Sequence, residues 1–133
     1  MTTRCYCISL RTAARKTSAI YDAALAPFGI NIAQYSLLRK IEAVGTLSLT
    51  ELGRLTELDR STIGRNAKVL ERMALVRAAS AKDQREAMLE LTDAGRLCLE
   101  ESGPAWAVAQ EKIEALLGGQ DGAASLRRLL KAL

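Results

Sequence analysis

Four residues carry the types and spacing of a face that could bind a polyanion: Ser61, Arg65, Lys68 and Arg72. At about 100° per residue they share one side of a helix, while Ile63, Ala67, Leu70 and Ala74 share the other. The outer side is cationic and forgoes the i,i+4 Glu/Lys pairing that usually supports an exposed helix. Ser61 and Thr62, small and polar, stand at its N-terminal end, where they suit close approach to a backbone or to a base edge in a major groove. A cationic row by itself is more often a solvated surface than a binding site, so its flanks decide. Downstream, Lys82, Asp83 and Arg85 lie in the polar stretch SAKDQRE between two short apolar segments. An Arg at the tip of such a hairpin suits a narrow minor groove, although the same stretch taken alone reads equally well as a solvated turn.

Other chemistries find little support. The chain has no histidine, which removes the commonest general base and any Cys/His metal site. Its three cysteines, Cys5, Cys7 and Cys98, follow no zinc spacing. There is no phosphate-binding glycine loop and no nucleophile elbow, so neither an enzyme nor a cofactor is expected. Cys98 and Trp106 read as packing residues.

The cationic row needs a scaffold, and Ser48 to Met73 supplies it as two short helices meeting at a turn. Ser48 with Glu51 has capping-box spacing, and Leu49, Leu52 and Leu55 give the first helix an apolar stripe. Leu58 plugs the corner, and Asp59 caps a second helix from Ser61 to Met73; this is helix-turn-helix grammar. Upstream, a long helix over about 3–25 carries the stripe Cys7, Leu10, Ala14, Thr17, Tyr21 and Ala24, and ends at Pro27 and Gly29. Asn31 and Gln34 repeat the capping-box spacing, opening a helix with Leu37, Leu38, Ile41 and Val44 inward and Gly45 as its stop. Thr46 and Leu47 then bridge to the helix-turn-helix.

Downstream, residues 75–79 and 87–91 are strand candidates, and after a recognition helix such a hairpin is the wing of a winged helix. Thr92 caps a long helix through Leu117, interrupted and bent at Gly103-Pro104, and Gly118 and Gly119 stop it. A last helix over 123–133 places Leu126, Leu129, Leu130 and Leu133 on one side, too short to stand alone.

The expected fold is mainly α with a small β-hairpin wing: one domain over 1–133. A winged helix-turn-helix lobe occupies about 31–92, and dimerisation helices occupy about 3–27 and 93–133. At 133 residues the chain has room for a core, but its long terminal helices need cover from a second copy. The net charge of +4 is a weak signal, whereas the stretch from Arg54 to Arg85 holds eight positive and four negative residues. No run of eighteen apolar residues exists and MTTRCYC lacks a signal-peptide core, so no membrane segment and a cytoplasmic location are expected.

The order of elements, the segment LDRSTIGRNAKVLERM, the wing pattern DQREAMLELT and the LTDAG opening the next helix together resemble the MarR family of winged-helix transcriptional regulators. The resemblance covers nearly the whole chain and implies a homodimer joined by its first and last helices and bound to a pseudo-palindromic DNA operator; the expected function is that of a repressor released from this operator by a small-molecule effector. Carried over by position, Ser61, Thr62 and Arg65 would meet bases or nearby phosphates, and Lys68 and Arg72 phosphates. Arg85, with Lys82 beside it, would reach the minor groove, and Asp83 would orient Arg85.

Many relatives bind a small aromatic or phenolic effector in a crevice between the dimerisation helices and the DNA-binding lobe. A subgroup, OhrR-like, senses organic hydroperoxides through a cysteine in the first helix, and this chain is similar to it at Cys7, Arg15, Tyr21, Pro27, Gly29 and the Gln34-Tyr35 pair. Cys7 and Tyr21 are separated by roughly 21 Å along one helix, so a contact between them must cross a dimer. Where that subgroup has a second tyrosine this chain has Arg11, a cation for a thiolate but without a phenol's geometry. Cys5 is an extra thiol, and on a helix it faces away from Cys7. Two other classes compete: a helical adaptor whose cationic face meets an acidic partner, and a thiol-dependent redox enzyme using Cys7.

Overall fold

Three helix starts in this chain, at Asn31, Ser48 and Thr92, follow capping chemistry that their residue types announce. The computed structural model describes residues 4–79 and 87–133. The first helix, α1 (Tyr6–Leu25), passes through a 3-10 turn at Ala26–Phe28 into α2 (Ile32–Val44). Pro27 and a left-handed Gly29 (φ 77°) make the break. Asn31 and Gln34 form a full capping box: Gln34 N–H donates to Asn31 Oδ1 at 2.9 Å, and Asn31 N–H to Gln34 Oε1 at 3.0 Å. Asp22 Oδ1 accepts from Ile32 N–H at 2.8 Å, so a side chain of α1 also caps α2.

Thr46 and Leu47 are more than a bridge. With Ser48 they form β1 (Thr46–Ser48), which pairs antiparallel with β3 (Met88–Leu91), Leu47 opposite Leu89. The expected two-stranded hairpin is therefore a three-stranded sheet in the order β1-β3-β2, with β2 at Val76–Ala79. Next come α3 (Leu49–Thr56) and α4 (Arg60–Arg72). Ser48 caps α3, accepting from Glu51 N–H at 3.1 Å, but the reciprocal half of the box is absent. Ser48's backbone lies in the sheet, and Glu51 instead accepts from the Ser48 hydroxyl at 3.3 Å.

The core gathers Leu25, Leu37, Leu38, Ile41, Leu47, Leu52, Ile63 and Leu70, all fully buried. Three leucine and valine positions expected to face inward do not. Leu55 is 43% exposed, because the step of three residues from Leu49 through Leu52 walks round the helix and carries it about 120° from Leu49. Leu58, expected in the corner, and Val44, the last residue of α2, are also exposed. Ala74 leaves the apolar face of α4 as well, since the helix ends at Arg72 and Ala74 turns left-handed at φ 59°.

After the sheet, α5 (Asp93–Leu116) runs as one helix through Gly103-Pro104 rather than breaking there. Pro104 has no N–H to donate to the Glu100 carbonyl, and Glu100 lies on an exposed part of the helix, where losing that bond costs least. Gly118 (φ 96°) and Gly119 (φ 81°) reverse the chain into α6 (Gly119–Lys131), which starts earlier than expected. Of the expected α1 stripe, Thr17, Tyr21 and Ala24 are half-buried while Cys7, Leu10 and Ala14 are exposed. Along α6, Leu129 and Leu130 are likewise exposed. No helix among the described residues is long and apolar enough to cross a membrane.

Candidate nucleic-acid interface

The cationic face rests on a helix fixed from behind. Ile63, Ala67 and Leu70 of α4 are 0%, 4% and 1% exposed, each large side chain contributing about 1.5–3 kcal/mol of burial. On the opposite side Ser61, Arg65, Lys68 and Arg72 are all exposed, and Thr62 is half-buried at the edge. Arg65 donates to the Thr62 hydroxyl at 3.4 Å and Arg72 Nε to the Lys68 carbonyl at 3.5 Å. Among the described residues none of Arg65, Lys68 and Arg72 has a carboxylate within salt-bridge distance. By contrast Arg77, across the sheet, is paired with Glu90 at 2.8 Å, which holds its pKa above the ordinary value.

Asp59 stands at the N-cap of α4 but makes no cap bond to the backbone; it accepts from the Ser61 hydroxyl at 2.5 Å. That bond is the main reason its carboxyl lies below the usual range. The exposed side of α4 is therefore a preformed cationic row, with hydroxyls at the end where helix N–H groups point outward. Two further exposed cations, Arg60 at the first position of α4 and Arg54 on α3, are not among the expected site residues. Arg60 was visible as the residue beside the Ser61 stripe. Lys82, Asp83 and Arg85 lie outside the described residues.

A second cluster joins the lobes. Trp106 of α5 stacks on Tyr35 of α2 (centroids 5.8 Å apart, 16° between planes) and on Tyr21 of α1 (6.4 Å, 17°). Arg39 lies 4.5 Å above the Trp106 ring, a cation–π contact. Tyr21 donates its hydroxyl to Gln110 of the same chain. Burial raises the pKa of both tyrosines, offset at Tyr35 by the Arg39 charge, so both are neutral phenols at pH 7. A cleft of about 330 Å³ opens here, lined by Tyr35, Ser36, Arg39, Lys40, Ala43 and Trp106. Trp106 thus packs, as expected, but it also forms one wall of this cleft.

The thiols are apart from both clusters. Cys7 and Arg11 are exposed in the first turns of α1, and Cys5 precedes the helix in extended conformation (ψ 125°), so the helical geometry expected for the pair applies to Cys7 alone. Cys98 is half-buried against the core, and burial raises its pKa.

The MarR family model matches residues 28–86. The crystal structure of the M. tuberculosis transcriptional regulator MosR in complex with DNA is 32% identical, with a TM-score of 0.80 over 97% of this chain and 98% of that one. A probable transcriptional regulator from Pseudomonas aeruginosa is 26% identical, with a TM-score of 0.85 over 94% of this chain and 93% of its own. In Bacillus subtilis (strain 168), the HTH-type transcriptional regulator YhbI is 30% identical over 94 residues, 70% of this chain and 61% of that protein's length. The family match spans the helix-turn-helix and the likeness to MosR spans nearly both chains, so the protein belongs to the MarR family, a family of transcriptional regulators.

Proposed function

We propose that this chain is a cytoplasmic homodimeric repressor that binds a pseudo-palindromic DNA operator and releases it when a small effector binds. One observation carries the DNA reading: a buried-backed helix whose outer side exposes Ser61, Arg65, Lys68 and Arg72, the three cations free of carboxylates among the described residues. MosR, its relative at 32% identity, was crystallised with DNA, which supports the same partner here. Thr62 joins Ser61 and Arg65 at bases or nearby phosphates, while Lys82 and Arg85, with Asp83 in support, serve the flanking minor grooves.

The homodimer explains the uncovered apolar side chains. Tyr6 (78% exposed), Ile8 and Leu10 on α1, Leu116 at the end of α5, and Leu129 and Leu130 on α6 form surfaces that a second copy would bury. The cleft at Tyr35, Arg39 and Trp106 suits a small aromatic or phenolic effector, with two aromatic side chains and a cation in its lining. It lies between α2, packed in the DNA-binding lobe, and α5. An effector that prefers one arrangement of these helices shifts the population, with a coupling of about 1–3 kcal/mol typical of such switches.

Selection of bound fragments from genomic DNA, followed by footprinting, tests the whole reading. It should yield one inverted repeat, protected over two successive major grooves and the flanking minor grooves. Recovery of no sequence above non-specific background, or a protein that runs as a monomer while bound, overturns it.

A further inference from the structure

The helix that reads DNA and the helix that carries the second-copy surfaces meet at one residue. α4 closes with a Schellman motif, Leu75 N–H donating to Leu70 O at 3.0 Å and Ala74 N–H to Glu71 O at 2.9 Å. The next two carbonyls, of Ala74 and Leu75, both go to Thr92: its hydroxyl donates to Ala74 O at 2.6 Å and its N–H to Leu75 O at 3.1 Å. The same hydroxyl accepts from Gly95 N–H at 3.0 Å and so caps α5. Gly95 lies hard against this point, since a Cβ on it would sit 2.1 Å from Leu75 O.

Capping α5 needs only an acceptor, which Asp or Asn supplies as well as Thr. The donor half of the Thr92 hydroxyl is additional, and it is spent on the end of α4. α5 itself carries Trp106 with its cleft, and leads to Leu116 and α6.

We propose that Thr92 is a positioning residue: by capping α5 and tying the Ala74 carbonyl with one hydroxyl, it makes α4 move as one body with α5, and so fixes the separation of the two recognition helices in the dimer. This rests on the dimeric DNA-binding reading above. Rotation of α5 at the dimer seam or at the Trp106 cleft is then delivered to α4 without slack at the joint.

Thr92→Asp separates the two roles, because a carboxylate caps α5 but cannot donate to Ala74 O. Thr92→Ser keeps both. Each protein is titrated with three duplexes: the selected operator, the same operator with its half-sites moved apart by two base pairs, and a single half-site. Wild type and Thr92→Ser should lose about tenfold or more on the respaced duplex, because half-site spacing mirrors fixed protein geometry. Thr92→Asp should bind both spacings within about threefold while binding the single half-site within about twofold of wild type.

A Thr92→Asp protein that still discriminates spacing overturns the joint and leaves the dimer reading standing. Equal loss on all three duplexes with a lowered melting point assigns Thr92 to stability alone and also overturns it. A wild type indifferent to spacing overturns the dimer reading and this inference together.

Discussion

Two glycines in helices respond in opposite directions to the same substitution. Beyond its chain neighbours and the backbone of its own helix, Gly64 of α4 has no atom within 4 Å of the place a Cβ would take, so Gly64→Ala gains only the helix preference of alanine, about 1 kcal/mol. Gly95, in the first turn of α5, has the Leu75 carbonyl oxygen 2.1 Å from that place and its carbon 3.1 Å away. Both are backbone, so no rotamer change relieves the overlap. Restoring an ordinary contact requires α5 to withdraw by about 1 Å or more, since carbon pairs favour about 3.5–4.0 Å. That movement breaks the two Thr92 bonds to Ala74 O and Leu75 O, each about 0.5–1.5 kcal/mol net, and leaves their carbonyls poorly satisfied. Against the alanine preference, the net loss is about 2–4 kcal/mol. For a chain of this size the melting point should fall by on the order of 10 °C for Gly95→Ala and rise by a few degrees for Gly64→Ala. The helical dichroism signal of both variants is followed on heating at equal protomer concentration, because a dimer's melting point depends on concentration. A Gly95→Ala protein as stable as wild type would refute the close approach of α5 to the end of α4.

Ala74→Gly removes the left-handed strain at φ 59° and should stabilise by about 0.5–1 kcal/mol, read from the urea midpoint; a loss of stability would mean that the Schellman closure is not formed. Arg65→Ala should cost about 1–3 kcal/mol in operator affinity by gel shift while the dimer elutes unchanged, and undiminished binding would displace the recognition face. Lys68→Ala should lower the slope of log affinity against log salt by about 1, as expected for one lost phosphate contact; an unchanged slope removes Lys68 from the interface. If Cys7 is the sensor, with Tyr21 and Arg11 in support, an organic hydroperoxide frees DNA from wild type and not from Cys7→Ser, whereas equal release ends that role.

What was legible in the residues is what the chain decides within a turn or two of helix. Asn31, Ser48 and Thr92 cap as their types require, and Ile63, Ala67 and Leu70 are buried because a spacing of three and four keeps one face inward. The cationic row is legible for the same reason, since it is the side of the helix that this spacing leaves outward. What was hidden depends on partners distant in sequence. β1 is three residues long, too short for any alternation to declare, and exists only because Leu47 lies opposite Leu89. The stack of Tyr21, Trp106 and Tyr35 draws on three helices, and nothing near any one of them announces the other two.

Thr92 falls between these cases and shows where function enters. Its cap on Gly95 is local and was expected, whereas its bond to Ala74 crosses from the end of one helix to the start of another. A winged helix-turn-helix could read a half-site without that bond, since the burial of Ile63 and Leu70 already orients α4 on its own lobe. On the dimeric reading proposed above, a paired site demands more: the lobe must hold its angle to the helix proposed to meet a second copy. That demand gives the donor half of the Thr92 hydroxyl a use that capping alone does not.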